Sequence, residues 1–542
     1  MPVRASTRTL GAGLLATGVL VAVSSCGGRG EPLSNKSRLW VPLPVLDAGS
    51  DYCLTQTDCE SSDRCEPRRC VENRCVAEPV LCDDGDPCTD DSCNSRSGEC
   101  VFEPLTADRD GDGYPPPRPG FARLDPAACG SDCDDTSAQS FPGNSEVCDG
   151  LDNDCDSVVD NGARFIADPS RVIDLASDAI TASTGGIAYS DASYGVVFSQ
   201  QTANARNMQT TFASIPPDGI QTPTPVPIAL VPNDTFAGPI VWTGQFFASV
   251  WEDRRDDDYE IYFNRLNQAG SKLDPDRRLT QAPGFSLRPS ISFDGVSEFR
   301  VAWDDRRDGT GYSIVYGQRL TLAGEPIGGN AALTPLELEA ISPVLASGEQ
   351  RLGMAFMAAR GGQPLVVGFR SFAHDFSGPS DIVVLSGSNA AQQSMVYNRG
   401  PSGGRFVAAW HVEDERGIPG ASIHGSIVNE AGEIVVPERP LTEPADFARS
   451  HALLPLGDRV ILFWAQSVDG RYDIHARELS ADLEPLGPAA RVTQVTTQAY
   501  SPAVAVGREG QIGVLYHANV PESGRQHVFF TSLACAAAQG PN

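Results

Sequence analysis

Between Asp108 and Asp160 the chain interleaves aspartate with cysteine, and its clearest chemistry is concentrated there. Asp108, Asp110 and Asp112 stand at alternating positions, and Gly111 and Gly113 allow the tight bend that lets a backbone curl its carboxylates around a hard cation. Asp132, Asp134 and Asp135 follow, then Asp149, then the alternating set Asp152, Asp154 and Asp156, with Asp160 beyond. These are oxygen ligands, and the segment 105–162 contains neither His nor Met, so calcium suits it better than a softer ion. Cys129, Cys133, Cys148 and Cys155 offer a second reading as zinc ligands, although the usual pair of CxxC knuckles is missing. A third reading is an acidic, disulfide-stapled linker that holds no specific ion.

Asp108 to Tyr114 is similar to the first half of an EF-hand loop, but position twelve falls on Pro119 where a bidentate Glu belongs. Thrombospondin-type-3-like loops are closer in style. The pieces Asp132-Cys133-Asp134-Asp135, Cys148-Asp149-Gly150 and Asp152-Asn153-Asp154-Cys155 occur in order, and over 105–162 the chain closely resembles the MopE-type metal-binding motif of secreted and surface bacterial proteins. That resemblance implies a metal site carried by these aspartates. Ser157 stands where the family usually has Gly, and the family takes its name from a copper-binding protein, whose preferred ligands this segment lacks. Cys82 to Cys93, closed by Gly98-Glu99-Cys100-Val101, resembles the short Cys-rich repeat of slime-mould and bacterial surface proteins, which implies little about activity.

The cysteines also report a compartment. Cys53, Cys59, Cys65, Cys70, Cys75, Cys82, Cys88, Cys93 and Cys100 form a dense block, Cys129 to Cys155 continue it, and Cys535 stands alone near the C-terminal end. In an exported chain this density predicts disulfides, which so small and polar a block needs in place of a core. Nine cysteines in 53–104 leave one without a partner inside the block, and Cys535 is expected to take it. Export itself is read from Arg4 and Arg8 ahead of an apolar run from Leu10 to Val23, too short for a spanning helix of about 20 residues. Val23-Ser24-Ser25-Cys26 resembles the bacterial lipobox, which implies lipidation of Cys26 and, with Gly27 following, sorting to the outer membrane of a Gram-negative cell. Residues 1–25 are then a signal peptide and 26–52 an anchor and flexible tether.

What must position the acidic segment is a repeat. Phe198, Trp251, Trp303, Phe356, Trp410, Trp464 and Tyr516 recur at spacings of 53, 52, 53, 54, 54 and 52 residues, the signature of stacked supersecondary units. Within each unit, strand-like alternation recurs, as in Pro289–Gly295, Phe299–Trp303 and Tyr312–Tyr316, followed by a short piece such as Arg278-Leu279-Thr280. The expected fold is mainly β: a seven-bladed β-propeller over 163–535, with a tail at 536–542, preceded by disulfide-rich (53–104) and acidic, loop-dominated (105–162) modules. The last repeat stops near Leu533 without an outer strand, and Arg171–Leu175 resembles the missing piece.

A net charge of −29 argues against nucleic acid as partner. All seven histidines lie in the propeller; His424 and His475 share a register with Tyr262, Val315 and Phe529 and read as packing, whereas His411 and His517 sit at strand ends that can face a partner. The loops Glu252–Asp256 and Asp304–Asp308 carry mixed charges that suit either a ligand or internal pairing. No Asp-box, nucleophile elbow, Walker loop or HExxH helix is present. The expectation is a lipid-anchored surface protein, more a binder than an enzyme, with calcium in its acidic neck and an unknown surface glycan or protein as ligand. A surface glycan hydrolase and a transition-metal-capturing protein are the alternatives.

Overall fold

The alternating runs after Ala163 become short antiparallel strands because their β-branched and aromatic residues are buried against neighbouring sheets, on both faces in the second strand of each blade. The computed structural model describes residues 53–537, apart from positions 87, 122–127, 145, 147–150, 156–162, 168–170, 218–220, 308, 310, 388, 401–402, 414–421, 445–446, 494–497 and 521–522. Cys26 and the signal and tether segments therefore lie outside the described residues. Two compact units are present: Met1–Asp84 with Asp91–Phe102, and Gly85–Asp90 with Glu103–Asn542.

The second unit holds seven sheets, each a meander running outward from its first strand. Blades 1 to 6 begin at Ala179, Thr235, Ser286, Glu339, Ala390 and Arg449, and blade 7 begins at Ala499. Each innermost strand neighbours the next, and the strand Ala499–Val506 neighbours Ala179–Tyr189, so the seven form a closed ring. The structure is a seven-bladed propeller.

Each aromatic of the repeat is fully buried on the second strand of its blade. It faces a cross-strand partner on the third: Trp251 pairs with Tyr262, Trp303 with Tyr316, Trp410 with His424, Trp464 with His475 and Tyr516 with Phe529. Blade 3 thus places Tyr316, not Val315, in that register, because side chains alternate faces and a one-residue offset would turn the ring away. A second repeat fastens the outer strands. The hydroxyls of Thr280, Thr334, Ser386, Thr442 and Thr493 accept the third-strand amides of Ile261, Val315, Val367, Ile423 and Ile474 at 2.7–3.0 Å.

Among the described residues blade 7 has no such outer strand following its third. Ile173 and Asp174 pair with Phe530 and Phe529, Leu175 donates its amide to the Val528 carbonyl at 2.9 Å, and His527 meets Asp174 at 2.7 Å. Residues Ala163–Ala167 pair with the same strand further along, at Leu533–Ala537. That strand runs on to Ala537, past Leu533 and past the expected boundary at 535, because the N-terminal piece gives its backbone a partner.

Among its described residues the first unit has little apolar interior, with Leu54 and Leu81 exposed and only Cys53 and Cys59 of the hydrophobic residues fully buried. Bridges replace a core: Cys53–Cys70, Cys59–Cys75, Cys65–Cys93 and Cys82–Cys100. In the second unit Cys88 joins Cys129, and Cys133 joins Cys155. The odd cysteine of the block is Cys88, and its partner is Cys129 rather than Cys535. Proximity decides this: the acidic segment follows the block directly, whereas Cys535 pairs its backbone with Phe165. Cys148 and the Cys535 side chain lie outside the described residues.

Two measurements check these assignments. Non-reducing peptide mapping is expected to recover a Cys88–Cys129 peptide, and a Cys88–Cys535 peptide would overturn the assignment. Trp303→Ala is expected to lower unfolding free energy by about 3–5 kcal/mol in urea, against roughly 1 kcal/mol for Thr334→Val.

Candidate metal centre

Short polar side chains that bond to their own backbone shape the acidic segment. Asp108 accepts the amides of Gly111 (2.7 Å) and Gly113 (2.9 Å), Asp110 that of Asp112 (3.2 Å), and Asp112 that of Tyr114 (2.8 Å). Gly111 and Gly113 both adopt positive φ, at 81° and 97°, which allows the curl. The loop is then strapped to the next acidic piece. The Pro115 carbonyl accepts the amides of Ser131 (3.0 Å) and Asp132 (3.2 Å), Thr106 Oγ1 donates to the Cys129 carbonyl (3.1 Å), and the Arg109 amide donates to Asp135 Oδ1 (2.9 Å). A Cβ on Gly130 would lie 2.2 Å from the carbonyl oxygens of Pro115 and Pro116, so only glycine permits this approach.

Asp108, Asp110 and Asp112 place carboxylate oxygens within 4.8 Å of one another, and the charges of Asp132 and Asp135 act on this group from the following segment. Asp132 is only 1% exposed, yet its Oδ2 has no hydrogen-bond partner among the described residues, and neither do the buried Oδ2 atoms of Asp110 and Asp112. Burial pushes the Asp132 carboxyl above the usual range, and the charges of Asp112, Asp110 and Asp135 push it further. Loss of water around Asp110 does the same, helped by Asp112, Asp108 and Asp135. Unpartnered carboxylate oxygens gathered at one point are costly unless a cation neutralises them. The donor set fits a hard divalent ion. Asp134 Oδ1 accepts the amide (3.2 Å) and hydroxyl (2.6 Å) of Thr136.

A second cluster lies further along. Glu146, Asp152 and Asp154 bring oxygens within 4.8 Å, and Glu146, 7% exposed, holds the Asp154 amide on Oε1 (2.8 Å) while its buried Oε2 has no hydrogen-bond partner among the described residues. Burial raises the Glu146 carboxyl, and Asp154 and Asp152 add to it. Sequence reading missed Glu146 as a ligand, because it stands alone outside the alternating aspartates and only the turn Phe141–Asn144 folds it back. Asp149, Asp156 and Asp160 lie outside the described residues. The zinc reading is corrected: Cys129, Cys133 and Cys155 have their sulfurs in bridges, which leaves no thiolate among the described members of that set.

In the propeller the mixed-charge loops pair internally. Trp251 Nε1 donates to Asp253 (2.9 Å), Arg255 bonds the same carboxylate and lies 4.2 Å from the Tyr262 ring centre, and Trp303, Asp305, Arg307 and Tyr316 repeat the arrangement at 3.0 and 4.2 Å. The residue after each aromatic turns toward the next blade instead of toward solvent. Ser199 accepts the Ala237 amide (2.7 Å), Glu252 that of Arg288 (2.7 Å) and Asp304 that of Ser342 (3.0 Å). His411 occupies the same place and is buried, and His517 is half-buried there, so neither is the exposed strand-end group that spacing suggested. His424 meets Glu438 (3.0 Å) and Ser422 (3.1 Å), and His475 packs on Trp464 with ring centres 6.0 Å apart.

Residues 132–161 match the Cu-binding MopE model of a metal-binding motif, and residues 81–105 match the Dictyostelium (slime mold) repeat. Two Dictyostelium discoideum proteins are similar to the chain over short stretches. Protein psiR is 47% identical over 49 residues, 9% of this chain and 5% of its own; protein psiQ is 37% identical over 59 residues, 10% and 6% respectively. The chain thus spans a small fraction of these relatives. Among solved structures, a polysaccharide lyase acting on ulvan aligns at TM-score 0.47 and 8% identity, covering 67% of this chain and 95% of its own. A Dyadobacter fermentans protein of unknown function aligns at 0.43 and 13%, covering 69% and 100%.

A raised carboxyl destabilises the fold once pH exceeds its ordinary value and does so fully above its folded value. Without added cation, Asp132→Asn is therefore expected to raise the unfolding temperature at pH 7, with the gain fading as pH falls through the raised value of the native carboxyl and gone below about pH 4. A lower unfolding temperature for the variant at pH 7 under chelator would contradict the charge argument.

Proposed function

We propose that this chain is a lipid-anchored cell-surface binding protein in which calcium rigidifies the acidic segment and the propeller recognises the ligand. The observation that carries the calcium reading is the set of buried carboxylate oxygens on Asp110, Asp112, Asp132 and Glu146 that lack hydrogen-bond partners among the described residues. Ligands that are all oxygen and carry excess negative charge favour calcium over ions that seek nitrogen or sulfur. Asp108, Asp110, Asp112, Asp132 and Asp135 would hold one ion, and Glu146, Asp152 and Asp154 a second. The ion would supply charge compensation and nothing chemical, fixing two strapped loops that otherwise repel each other. Supporting the surface placement are the six disulfides among the described residues and the Val23–Cys26 signal, with acyl chains on Cys26 as membrane anchor and the outer membrane as destination.

Calorimetry of the oxidised full chain is expected to show saturable calcium binding at two sites, one lost in Asp132→Asn and the other in Glu146→Gln. At a hundredfold excess over Kd the ion would stabilise the segment by about 2.7 kcal/mol. No heat with calcium, beside tight binding of copper or zinc, would overturn the reading. Separately, Cys26→Ala is expected to abolish incorporation of labelled palmitate and release the protein from the membrane fraction.

A further inference from the structure

Two links join the cluster at Asp108–Asp112 and Asp132 to the one at Glu146, Asp152 and Asp154. The first is covalent: the bridge Cys133–Cys155 follows directly on Asp132 at one end and on Asp154 at the other. The second is aromatic: the ring of Tyr114 lies face to face with that of Phe141, with centres 5.3 Å apart and planes within 7° of parallel. Each ring is tied through its own backbone to one cluster. Asp112 Oδ1 accepts the Tyr114 amide at 2.8 Å, while the buried Asp112 Oδ2 has no hydrogen-bond partner among the described residues. On the other side the Asn153 carbonyl accepts the Phe141 amide (3.0 Å), and the Asp154 carbonyl accepts the Gly143 amide (3.2 Å). Asn153 Nδ2 donates to the Gln139 carbonyl (3.2 Å), and Glu146 Oε1 takes the Asp154 amide (2.8 Å). A path of direct contacts therefore runs from Asp112 through Tyr114 and Phe141 to the loop that carries Asp152 and Asp154.

Of the two links, the stack is the one that can carry a signal. A bridge fixes its spacing whether a site is full or empty, and coupling needs an element with two arrangements. Tyr114 is 37% exposed and Phe141 half-buried, so the rings can part without opening a core. In an empty first cluster the like charges of Asp108, Asp110 and Asp112 push against one another, which loosens Asp112 and with it the Tyr114 backbone. An ion on those oxygens removes the repulsion, sets Tyr114 against Phe141 and steadies the turn that backs Asp154 and Glu146. A second ion then finds its ligands already ordered and meets a smaller ordering cost.

We infer that the two calcium sites bind with positive cooperativity and that the Tyr114–Phe141 stack is the coupling element. Neither ring supplies a ligand; both are positioning residues for the carboxylates behind them. The inference rests on the calcium reading and adds the regulation of that site: the acidic segment stiffens over a narrower range of calcium concentration than two separate sites allow. By linkage the effect is reciprocal, so each site strengthens the other by the same factor. An aromatic pair supplies a factor of roughly two to ten.

The test is calorimetry of the oxidised full chain with calcium alone as the probe. In the native chain the second ion is expected to bind more tightly than the first. Glu146→Gln is expected to weaken the site at Asp132, and Asp132→Asn the site at Glu146, each by the same factor of roughly two to ten. Phe141→Leu keeps the apolar bulk, removes the ring face and alters no ligand. It and Tyr114→Leu, as a second variant, are expected to retain both sites but to bind the two ions independently, at an unchanged unfolding temperature of the propeller. Native cooperativity in both leucine variants, or single-site variants whose remaining site is not weakened, would overturn the inference and leave both calcium sites standing. No calcium heat from the native chain would overturn it together with the calcium reading.

Discussion

Seven sheets can share one axis only if the last is fastened to the first, and that closure rests on a few backbone hydrogen bonds between Ile173–Leu175 and the strand Gln526–Ala537. Every other feature of the propeller assumes it. Each aromatic fills a wedge whose far wall is the next blade, and the wedge between blades 7 and 1 has that wall only when the ring is shut. The buried cluster of Ile173, Leu175, Val196, Phe198, Leu515, Val528 and Phe530, drawn from both ends of the repeat region, is the packing counterpart of those bonds. The edge-strand problem of an open β-sheet is thereby solved without a covering helix.

The acidic segment is built on the opposite logic. The propeller is held by apolar burial and a ladder of hydroxyl and amide bonds, whereas the loops around Asp132 and Glu146 bury charge against like charge. Their backbone straps, Pro115 to Ser131 and Asp132, and their bridges Cys88–Cys129 and Cys133–Cys155, hold the carboxylates in place despite that repulsion. Cross-links suit this task because they constrain the unfolded chain and need no favourable electrostatics. A site of this kind is preorganised by covalent bonds and turn chemistry, and a cation need only complete it.

Much of the fold was legible because its repeat is carried by large residues at a constant interval, and a period of two within each unit leaves one strand register. Closure was legible from an absence, the lack of an outer strand after the seventh aromatic, matched by Arg171–Leu175. The centre was legible in part. Alternating aspartates announced Asp108, Asp110, Asp112, Asp152 and Asp154, because a local loop writes its ligands at fixed offsets. Glu146 and the joining of Asp132 to the first loop were hidden, since they depend on a turn and on a close backbone approach at Gly130, which spacing does not encode. The Cys88–Cys129 bridge was hidden for a related reason: parity shows that one cysteine must leave the block, but not which. Tyr316 escaped by one position, where only the pairing of Trp303 decides.

Closure by the N-terminal strand has a mechanical consequence. The residues that seal blade 7 continue directly from the acidic segment, so a pull applied through the N-terminal side arrives first at the seam of the ring. His527, bonded to Asp174 across 353 positions of sequence, marks how distant in the chain the two sides of that seam are. Because the strands there are antiparallel and hydrogen-bonded side by side, load directed along them is shared by several bonds at once, whereas load directed across them would open one bond at a time. The direction of the load relative to these strands thus sets how much tension the ring withstands.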